Sequence, residues 1–270
     1  MKIPENSFKR ALYAGKQQYG FWLGLCNPLS AELCAHAGYD WVLIDGEHAP
    51  NDLNSILAQL QAVSATTAHP VVRLVEGRTA LIKQYLDAGA QTLLIPMVET
   101  AEQARELVRA VRYPPAGVRG VGTALARAAR WNMIDDYFKT VDDEICLLIQ
   151  IESVAALDNL DEILSVEGIH GVFIGPADLA GSMGHLGNPS HPDVKAAAEA
   201  AVKKIRAAGL PAGTLATNKP VAKYYESVGM QFIALGVDTL ALANGARNTL
   251  NDFLSEDDEN TPPPQGNGAY

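Results

Sequence analysis

The sequence is poor in cysteine, short of basic residues and without a long apolar run. Its three cysteines, Cys26, Cys34 and Cys146, form no CxxC pair and have no histidines at finger-like spacing, which argues against a disulfide framework or a structural zinc site. With 21 Lys and Arg against 31 Asp and Glu, the formal net charge is −10, so the basic footprint of a nucleic-acid-binding protein is missing. No apolar run approaches the roughly 20 residues that span a bilayer, and the N-terminus lacks a signal-peptide core. These absences predict a cytoplasmic protein that acts on small molecules, with no nucleic acid or membrane partner.

Short apolar runs alternate with helical patterns along most of the chain. The predicted strands occupy residues 19–25, 41–45, 70–75, 92–98, 144–152, 171–175, 210–216 and 232–237. A helix is expected after each, the first beginning at Ser30 and closing at Gly38. Strands that are apolar throughout are buried on both faces, as in a parallel sheet covered by helices. Eight such units favour a (β/α)8 TIM barrel over an open doubly wound sheet.

Two segments fall outside this repeat. Residues 114–143 form an unusually long connection before the fifth strand, and long connections are often functional. Residues 255–270 are acidic and rich in Pro and Gly, so they are predicted to be a disordered tail. The barrel is therefore expected to be a single domain over residues 1–254.

Polar side chains follow the predicted strands at one end of the barrel, where TIM-barrel active sites lie. These residues are Asp45, Glu47, His48, Arg73, Gln150, Glu152, Asp178, Thr217, Asn218 and Asp238. Glu152 and Asp178 follow adjacent strands, and two carboxylates in one mouth repel each other unless a cation or a shared proton lies between them. Oxygen ligands favour Mg²⁺ or Mn²⁺ over tetrahedral zinc. The alternative is that both carboxylates cap helices or pair with arginines.

Arg73 and His48 are the other candidates for chemistry. A guanidinium inside a strand requires an anion or a set of acceptors, which a substrate or a buried salt bridge to Asp45 would supply. His48 is either a general base on the catalytic face or an ordinary loop histidine.

The sequence argues against two kinds of chemistry, catalysis by a covalently bound lysine and nucleotide binding. No lysine lies inside a predicted strand, which argues against a Schiff-base lysine and against pyridoxal phosphate. The GVRGVG segment at 117–122 follows two prolines rather than a strand, so it is not a nucleotide-binding loop.

The segments DWVLIDGEHAPND, PVVR, TLLIPMVET, RYPPAGVRGVG, LLIQIE and GVFIGPADL, in this order, resemble the HpcH/HpaI family of metal-dependent, pyruvate-forming aldolases. The resemblance runs from about residue 6 to 253. It implies that Glu152 and Asp178 hold a divalent metal (Mg²⁺, Mn²⁺ or Co²⁺) and that Gln150 faces the substrate. It also implies that the backbone amides of Ala177 and Asp178 bind the pyruvate carboxylate and that Arg73 holds the keto oxygen.

The same resemblance assigns the remaining positions. His48 matches the catalytic base, and Asp87 matches an aspartate that orients this base from a neighbouring subunit. Asp45 is expected to support the site, and Trp22 and Leu215 match positions near the aldehyde. The family implies a homo-hexamer, built as a trimer of dimers with exchanged C-terminal helices.

Within the family, the sequence is most similar to lyases that cleave 4-hydroxy-2-oxoheptanedioate to pyruvate and succinic semialdehyde in aromatic catabolism. Aldolases for 2-keto-3-deoxy sugar acids (glucarate or rhamnonate type) remain an alternative, as do citryl- or malyl-CoA lyases and a non-enzymatic metal-dependent scaffold. Arg119, Arg127 and Arg130 are candidates for receiving the distal carboxylate of the aldehyde.

Overall fold

Eight parallel strands close into a barrel, with each strand beside the next in chain order and β8 beside β1. The computed structural model describes residues 1–255, so all but the first residue of the predicted tail lies outside the described residues. The strands are β1 (Gln18–Leu23), β2 (Trp41–Asp45), β3 (His69–Arg73), β4 (Thr92–Ile95), β5 (Cys146–Ile151), β6 (Gly171–Ile174), β7 (Ala212–Leu215) and β8 (Phe232–Val237). The predicted TIM barrel is confirmed.

Helices surround the barrel and connect its strands. They are α1 (Ser7–Tyr13), α2 (Pro28–Ala35), α3 (Leu53–Val63), α4 (Thr79–Ala88), α5 (Ala101–Val111), α6 (Tyr137–Glu144), α7 (Val154–Asp158), α8 (Leu160–Leu164), α9 (Pro176–Ser182), α10 (Pro192–Ala207), α11 (Lys219–Ser227) and α12 (Asp238–Leu254). Within residues 1–255, none of them is both long and apolar enough to cross a membrane.

Several sequence-based boundaries needed correction, and β1, β3, β4 and β7 end one to three residues earlier than predicted. α2 begins at Pro28 rather than Ser30, because the Asn27 side chain accepts hydrogen bonds from the first-turn amides and acts as the N-cap. The connection over 114–143 contains a 3₁₀ turn (Arg127–Ala129) and α6, and α6 delays the start of β5 to Cys146. Two short helices, α7 and α8, replace the single helix expected after β5.

Strand residues alternate between two apolar layers. Alternate positions face the barrel interior, where they form one buried cluster that includes Leu43, Val71, Leu94, Leu148 and Phe173. Their neighbours along each strand pack under the helices in a second and larger cluster, which includes Val42, Ile44, Val72, Leu93, Leu147 and Ile149. The continuous apolar runs in the sequence reflect burial on both faces.

The N-terminal end of the barrel is closed by α1. Phe8 and Leu12 of this helix belong to the interior cluster, and the Phe8 ring lies 5.6 Å from that of Trp41 and 5.7 Å from that of Phe232. Trp41 and Phe232 are the first residues of β2 and β8, so α1 covers the strand beginnings. The opposite end, where the strands finish, is the mouth of the barrel, and polar groups occupy it.

The same alternation places polar side chains at the C-terminal end of the interior. Asp45 lies two residues after Leu43, and Arg73 lies two residues after Val71, so both continue the inward-facing rows. The register of β2 and β3 sets Asp45 directly beside Arg73. Gln150 continues the row of Leu148 in the same way.

Candidate active site

Arg73 and Asp45 form a buried bidentate ion pair at the centre of the mouth. Arg73 donates from Nε to Asp45 Oδ1 at 2.9 Å and from Nη2 to Oδ2 at 2.6 Å. Trp22 completes this group, since its Nε1 donates to Asp45 Oδ2 at 3.0 Å and its ring centroid lies 4.9 Å from the guanidinium carbon. Burial alone would raise the pKa of Asp45, but the hydrogen bonds and charge of Arg73 outweigh it and hold the pKa below its usual value. The buried salt bridge considered from the sequence is therefore present.

Glu47 belongs to the site as well, although sequence reasoning assigned it no role. Its Oε2 lies 2.8 Å from Arg73 Nη1, yet the contact is not aligned as a hydrogen bond, and this oxygen has no hydrogen-bond donor among residues 1–255. Burial raises the pKa of Glu47, and the nearby Asp45 and Asp178 charges raise it further against the opposing effect of Arg73. The signal in the sequence was its position two residues after Asp45, in the same turn.

Glu152 is the most enclosed carboxylate of the mouth, at 2% exposure. Its Oε1 accepts a hydrogen bond from the Met97 amide at 2.8 Å, and its Oε2 accepts one from Gln150 Nε2. Burial raises the pKa of Glu152, and the charges of Asp178 and Glu47 add to this effect. The helix-cap alternative does not hold for Glu152, because Ser153 is the N-cap of α7.

Asp178 and Ala177 lie exposed in the first turn of α9. Pro176 occupies the first helical position, so the amides of residues 177 and 178 have no carbonyl acceptor within the helix. Gly175, rather than Asp178, is the N-cap residue, which removes the capping alternative for Asp178 as well. Free amide groups at this position suit a carboxylate ligand.

The mouth fits a hard divalent cation. The charge of Asp178 raises the pKa of both Glu47 and Glu152, and that of Glu47 also raises the pKa of Glu152. A cation bound near these carboxylates would relieve the repulsion. Gln150 Oε1 is also buried without a hydrogen-bond partner in the described part of the chain. Gly175 keeps this region open, since a Cβ there would collide with Glu152 Oε2. Oxygen donors of this kind favour Mg²⁺, Mn²⁺ or a similar ion.

His48 and Asp87 are not brought together within one chain. The His48 side chain is 65% exposed, and its Nε2 lies 3.8 Å from Glu47 Oε2. Asp87 instead accepts a hydrogen bond from Arg119 Nη2 at 2.9 Å. The predicted contact between Asp87 and His48 requires a second subunit and stays a prediction.

The three arginines proposed for the distal carboxylate differ in availability. Arg119 donates from Nη2 to Asp87 and to the Tyr137 hydroxyl, while its Nε and Nη1 have no hydrogen-bond partner among residues 1–255. The side chain is 0% exposed, so a substrate cannot reach these nitrogens within this chain. Arg127 donates to the Ala88 carbonyl at 3.1 Å but is partly exposed, as is Arg130. Arg127 and Arg130 line a cavity with residues 89–91, which precede β4, so they lie at the opposite end of the barrel from this chain's own mouth. The distal-carboxylate role stays a prediction for all three arginines.

Other polar residues at strand ends serve the fold. Asn218 caps α11 by accepting from the Val221 amide at 3.0 Å. Asp238 accepts from the amides of Gly24 at 2.7 Å and Leu25 at 3.1 Å, and so ties the end of β8 to the end of β1. Leu215 is partly buried against the interior cluster at the end of β7.

Comparisons with known proteins agree on one family. The model of the HpcH/HpaI aldolase/citrate lyase family matches residues 18–245. A hydroxypyruvate/pyruvate aldolase of Deinococcus radiodurans is 58% identical over 98% of this chain and 96% of its own length. A 4-hydroxy-2-oxo-heptane-1,7-dioate aldolase of Klebsiella pneumoniae is 58% identical over 89% of this chain and 91% of its own length. The crystal structure of an HpcH/HpaI aldolase/citrate lyase family protein from Burkholderia cenocepacia has a TM-score of 0.90 at 38% identity, covering 93% of this chain and 100% of that one.

Proposed function

The chain belongs to the HpcH/HpaI aldolase/citrate lyase family of carbon–carbon lyases, and we propose that it is a divalent-metal-dependent pyruvate aldolase that cleaves 4-hydroxy-2-oxoheptanedioate. The observation that carries the proposal is the buried carboxylate of Glu152, whose pKa is raised by the charges of Asp178 and Glu47, together with the Arg73 guanidinium, which contacts Glu47. Together they combine a place for a cation with a fixed positive group at one mouth.

Glu152 and Asp178 would hold the metal, and the charge of Glu47 would add to its attraction. When bound, the ion supplies Lewis-acid polarisation of the 2-oxo group. The chain itself keeps Glu152 in place through the Met97 amide and the Gln150 side chain. Met97 adopts a left-handed backbone conformation (φ 55°), which a non-glycine residue rarely takes, and its amide donates to Glu152 at 2.8 Å.

Arg73 stabilises the charge that develops during cleavage. As the C3–C4 bond breaks, its electron pair moves toward C2 and the keto oxygen becomes an enolate oxygen. A guanidinium already oriented by Asp45 meets this charge without reorganising. Gln150 faces the same region and has a free Oε1, which can accept a hydrogen bond from substrate.

His48 is proposed as the base that takes the proton from the 4-hydroxyl group, so that C4 leaves as an aldehyde. The enolate is then protonated at C3 and gives pyruvate. The amides of Ala177 and Asp178 would bind the pyruvate carboxylate, while Trp22 and Leu215 lie toward the aldehyde. Asp87 of another subunit would orient His48.

The Asp87 role requires an oligomer, and we propose the family's homo-hexamer. Supporting this, the C-terminal helix α12 exposes apolar side chains along its length, including Leu242 at 62% and Phe253 at 84%. Light scattering on the full chain measures the assembly directly. A monomer with full activity would remove the role of Asp87.

The first test of the function is pyruvate release from 4-hydroxy-2-oxoheptanedioate before and after EDTA treatment, with Mn²⁺, Mg²⁺ or Co²⁺ added back. The proposal expects release to stop with EDTA and return with metal. Release that ignores EDTA would remove the metal from the mechanism and, with it, the assigned roles of Glu152 and Asp178.

A second candidate is aldol chemistry with hydroxypyruvate, because the similar proteins carry both substrate names at the same 58% identity. Both reactions use a 2-oxo acid enolate, so the metal and Arg73 serve either. The ratio of kcat/KM for 4-hydroxy-2-oxoheptanedioate to that for hydroxypyruvate-derived aldols separates them. The kcat/KM values for 2-keto-3-deoxy sugar acids should be measured in the same assay. Cleavage of citryl-CoA or malyl-CoA, tested alongside, would favour the alternative of a lyase acting on coenzyme A thioesters.

A further inference from the structure

A separate group of metal-binding side chains lies at the junction between α9 and α10. His185 Nε2 is 3.6 Å from Asp193 Oδ2, and His191 Nδ1 is 3.7 Å from the same oxygen. The ligand atoms of the three residues all lie within 4.8 Å of one another. The contacts to Asp193 are too long for hydrogen bonds. Two donors held about 2.0–2.1 Å from one Zn²⁺ at a tetrahedral angle are about 3.4 Å apart, which is close to the observed spacing.

The backbone between the two histidines holds them together. The Asn188 amide donates to the His185 carbonyl at 2.9 Å, and the His191 amide donates to the Asn188 carbonyl at 3.0 Å. The His185 amide is anchored in turn to the Ala180 carbonyl at 2.7 Å. The two imidazole rings stack with their centroids 3.6 Å apart, and their side chains remain 28% and 30% exposed. A dissolved ion can therefore reach the cluster.

We propose that His185, His191 and Asp193 bind a borderline transition-metal ion such as Zn²⁺, with water completing its coordination. Two imidazoles and one carboxylate favour Zn²⁺, Ni²⁺ or Cu²⁺, whereas the all-oxygen mouth favours Mg²⁺ or Mn²⁺. The two sites thus differ in the class of metal they select. This proposal does not depend on the aldolase reaction.

Three effects oppose binding and limit its strength. The rings are nearly parallel (13°), so one must rotate before both nitrogens point at one ion. His191 Nδ1 accepts a long hydrogen bond of 3.3 Å from the Asp193 amide, which the metal would replace. The start of α10 carries partial positive charge, which the Asp193 carboxylate offsets. Binding should therefore be weaker than at a closed four-ligand zinc site.

The test is calorimetric titration of the full chain with Zn²⁺ in a large excess of Mg²⁺, which competes for the carboxylate mouth. Because Zn²⁺ can also enter the mouth, the measured quantity is the difference between variants. We expect the wild-type chain to bind one more zinc ion than a chain without His185 and His191. Replacing both histidines (His185→Gln with His191→Gln) should weaken binding at this site by about tenfold or more, and Asp193→Asn should weaken it less. His36→Gln is the matched control, because His36 is an exposed histidine at the end of α2. It should leave zinc affinity unchanged.

A second measurement, NMR of the histidine rings, identifies the residues that bind the zinc ion. Zinc should shift the ring NMR signals of two histidines in the wild-type chain, and these shifts should be missing in the double variant. The same number of zinc ions bound by the wild type and the double variant, or a wild-type chain that takes up no zinc in Mg²⁺, would overturn the proposal. Pyruvate release in Mg²⁺ should be the same in the double variant and the wild type. A failure of the aldolase assignment would leave the zinc titration intact.

Discussion

At the N-terminal end of the barrel, His69 Nε2 lies 2.8 Å from Thr92 Oγ1, and Asn6 Nδ2 donates to that oxygen at 2.9 Å and to the Glu144 carbonyl at 3.0 Å. At the C-terminal end, Glu47 and Gln150 each keep a buried oxygen without a hydrogen-bond donor within residues 1–255. The same strands supply both ends. At the N-terminal end the side chains of Asn6, His69 and Thr92 pair with one another, although the nearby Trp41 Nε1 has no hydrogen-bond partner within residues 1–255. At the C-terminal end the unpaired atoms are acceptor oxygens, which a bound ligand could pair with.

The difference separates stability from activity. Buried polar groups cost free energy unless they are paired, so the network under α1 contributes to stability. The carboxylates at the mouth repel one another and contribute little or negatively to stability until a cation arrives. Substitutions at the N-terminal end should therefore lower the free energy of unfolding and leave kcat/KM unchanged. Substitutions at the mouth should lower kcat/KM and leave the free energy of unfolding unchanged or higher.

The largest effect is expected at Glu152. Glu152→Gln removes one negative charge from the mouth but keeps the shape of the side chain. We expect kcat/KM for pyruvate release to fall by roughly 10³-fold or more, by analogy with losing a preorganised charged group at an active site. The melting temperature without metal should stay the same or rise, because a repulsive buried charge is gone.

The matched control is Glu76→Gln, since Glu76 is an exposed carboxylate just after β3 that pairs with Arg78. It should change kcat/KM by little. A Glu152→Gln variant that melts far below the wild type would show that Glu152 holds the fold together, and the contrast between the two ends would then be wrong.

The next effect is expected at Phe8, on the opposite end. Phe8→Ala empties the space between the rings of Trp41 and Phe232 and should cost about 3–5 kcal/mol of unfolding free energy. Urea denaturation measures this loss, and kcat/KM per folded molecule should remain near the wild-type value. Tyr13→Ala, on the exposed face of the same helix, should cost much less. If Phe8→Ala changed kcat/KM strongly and left the free energy of unfolding intact, the assignment of stability to the N-terminal end would be wrong.

A smaller effect is expected from a single methyl group at Gly175. In Gly175→Ala the added Cβ would collide with Glu152 Oε2, so the carboxylate must move. We expect kcat/KM to fall by about 10–100-fold, since a shift of about 1 Å at a catalytic group is enough for such a loss. The concentration of Mn²⁺ needed for half-maximal activity should rise as well.

Gly245→Ala is the control for Gly175→Ala, because an added Cβ there meets no atom within 4 Å. In helix α12 the change should leave activity alone and stabilise slightly. Equal activity in both variants would indicate that the position of Glu152 is not critical.

The sequence was informative where one local rule decided the structure. Apolar runs buried on both faces identified all eight strands, and the alternation of side chains explains why Asp45 and Arg73 meet. The motif positions likewise located Glu152 and Gln150 at the mouth. These features depend on short-range patterns that a sequence displays directly.

Features that depend on distant contacts were not predictable. The closure of the barrel by α1 rests on Phe8 meeting rings from β2 and β8. The left-handed backbone of Met97 could not be predicted from its residue type, since methionine has no preference for this conformation. The conformation places the Met97 amide where it donates a hydrogen bond to Glu152. The pairing of Arg119 with Asp87 spans 32 positions, and nothing in either neighbourhood indicates it.

The smallest expected effect is a pH dependence of the free energy of unfolding, which arises from His69 at the N-terminal end. Burial lowers the pKa of His69 from 6.5 to about 4, so between these values the unfolded chain binds a proton at His69 that the folded chain does not. Lowering the pH through this window must therefore favour unfolding, by about 1 kcal/mol between pH 6 and pH 5. Below the folded-state pKa the loss levels off.

Urea unfolding at several pH values measures this slope, and His69→Gln should make it shallower. Some slope should remain, because burial also lowers the pKa of His170, which precedes β6 at the same end, to about 3. His36→Gln, an exposed control, should keep the wild-type slope. If His69→Gln leaves the slope unchanged, acid sensitivity arises elsewhere. If the slope falls as expected, loss of activity in mild acid divides into two parts, unfolding from the closed end and protonation of the carboxylates at the open one.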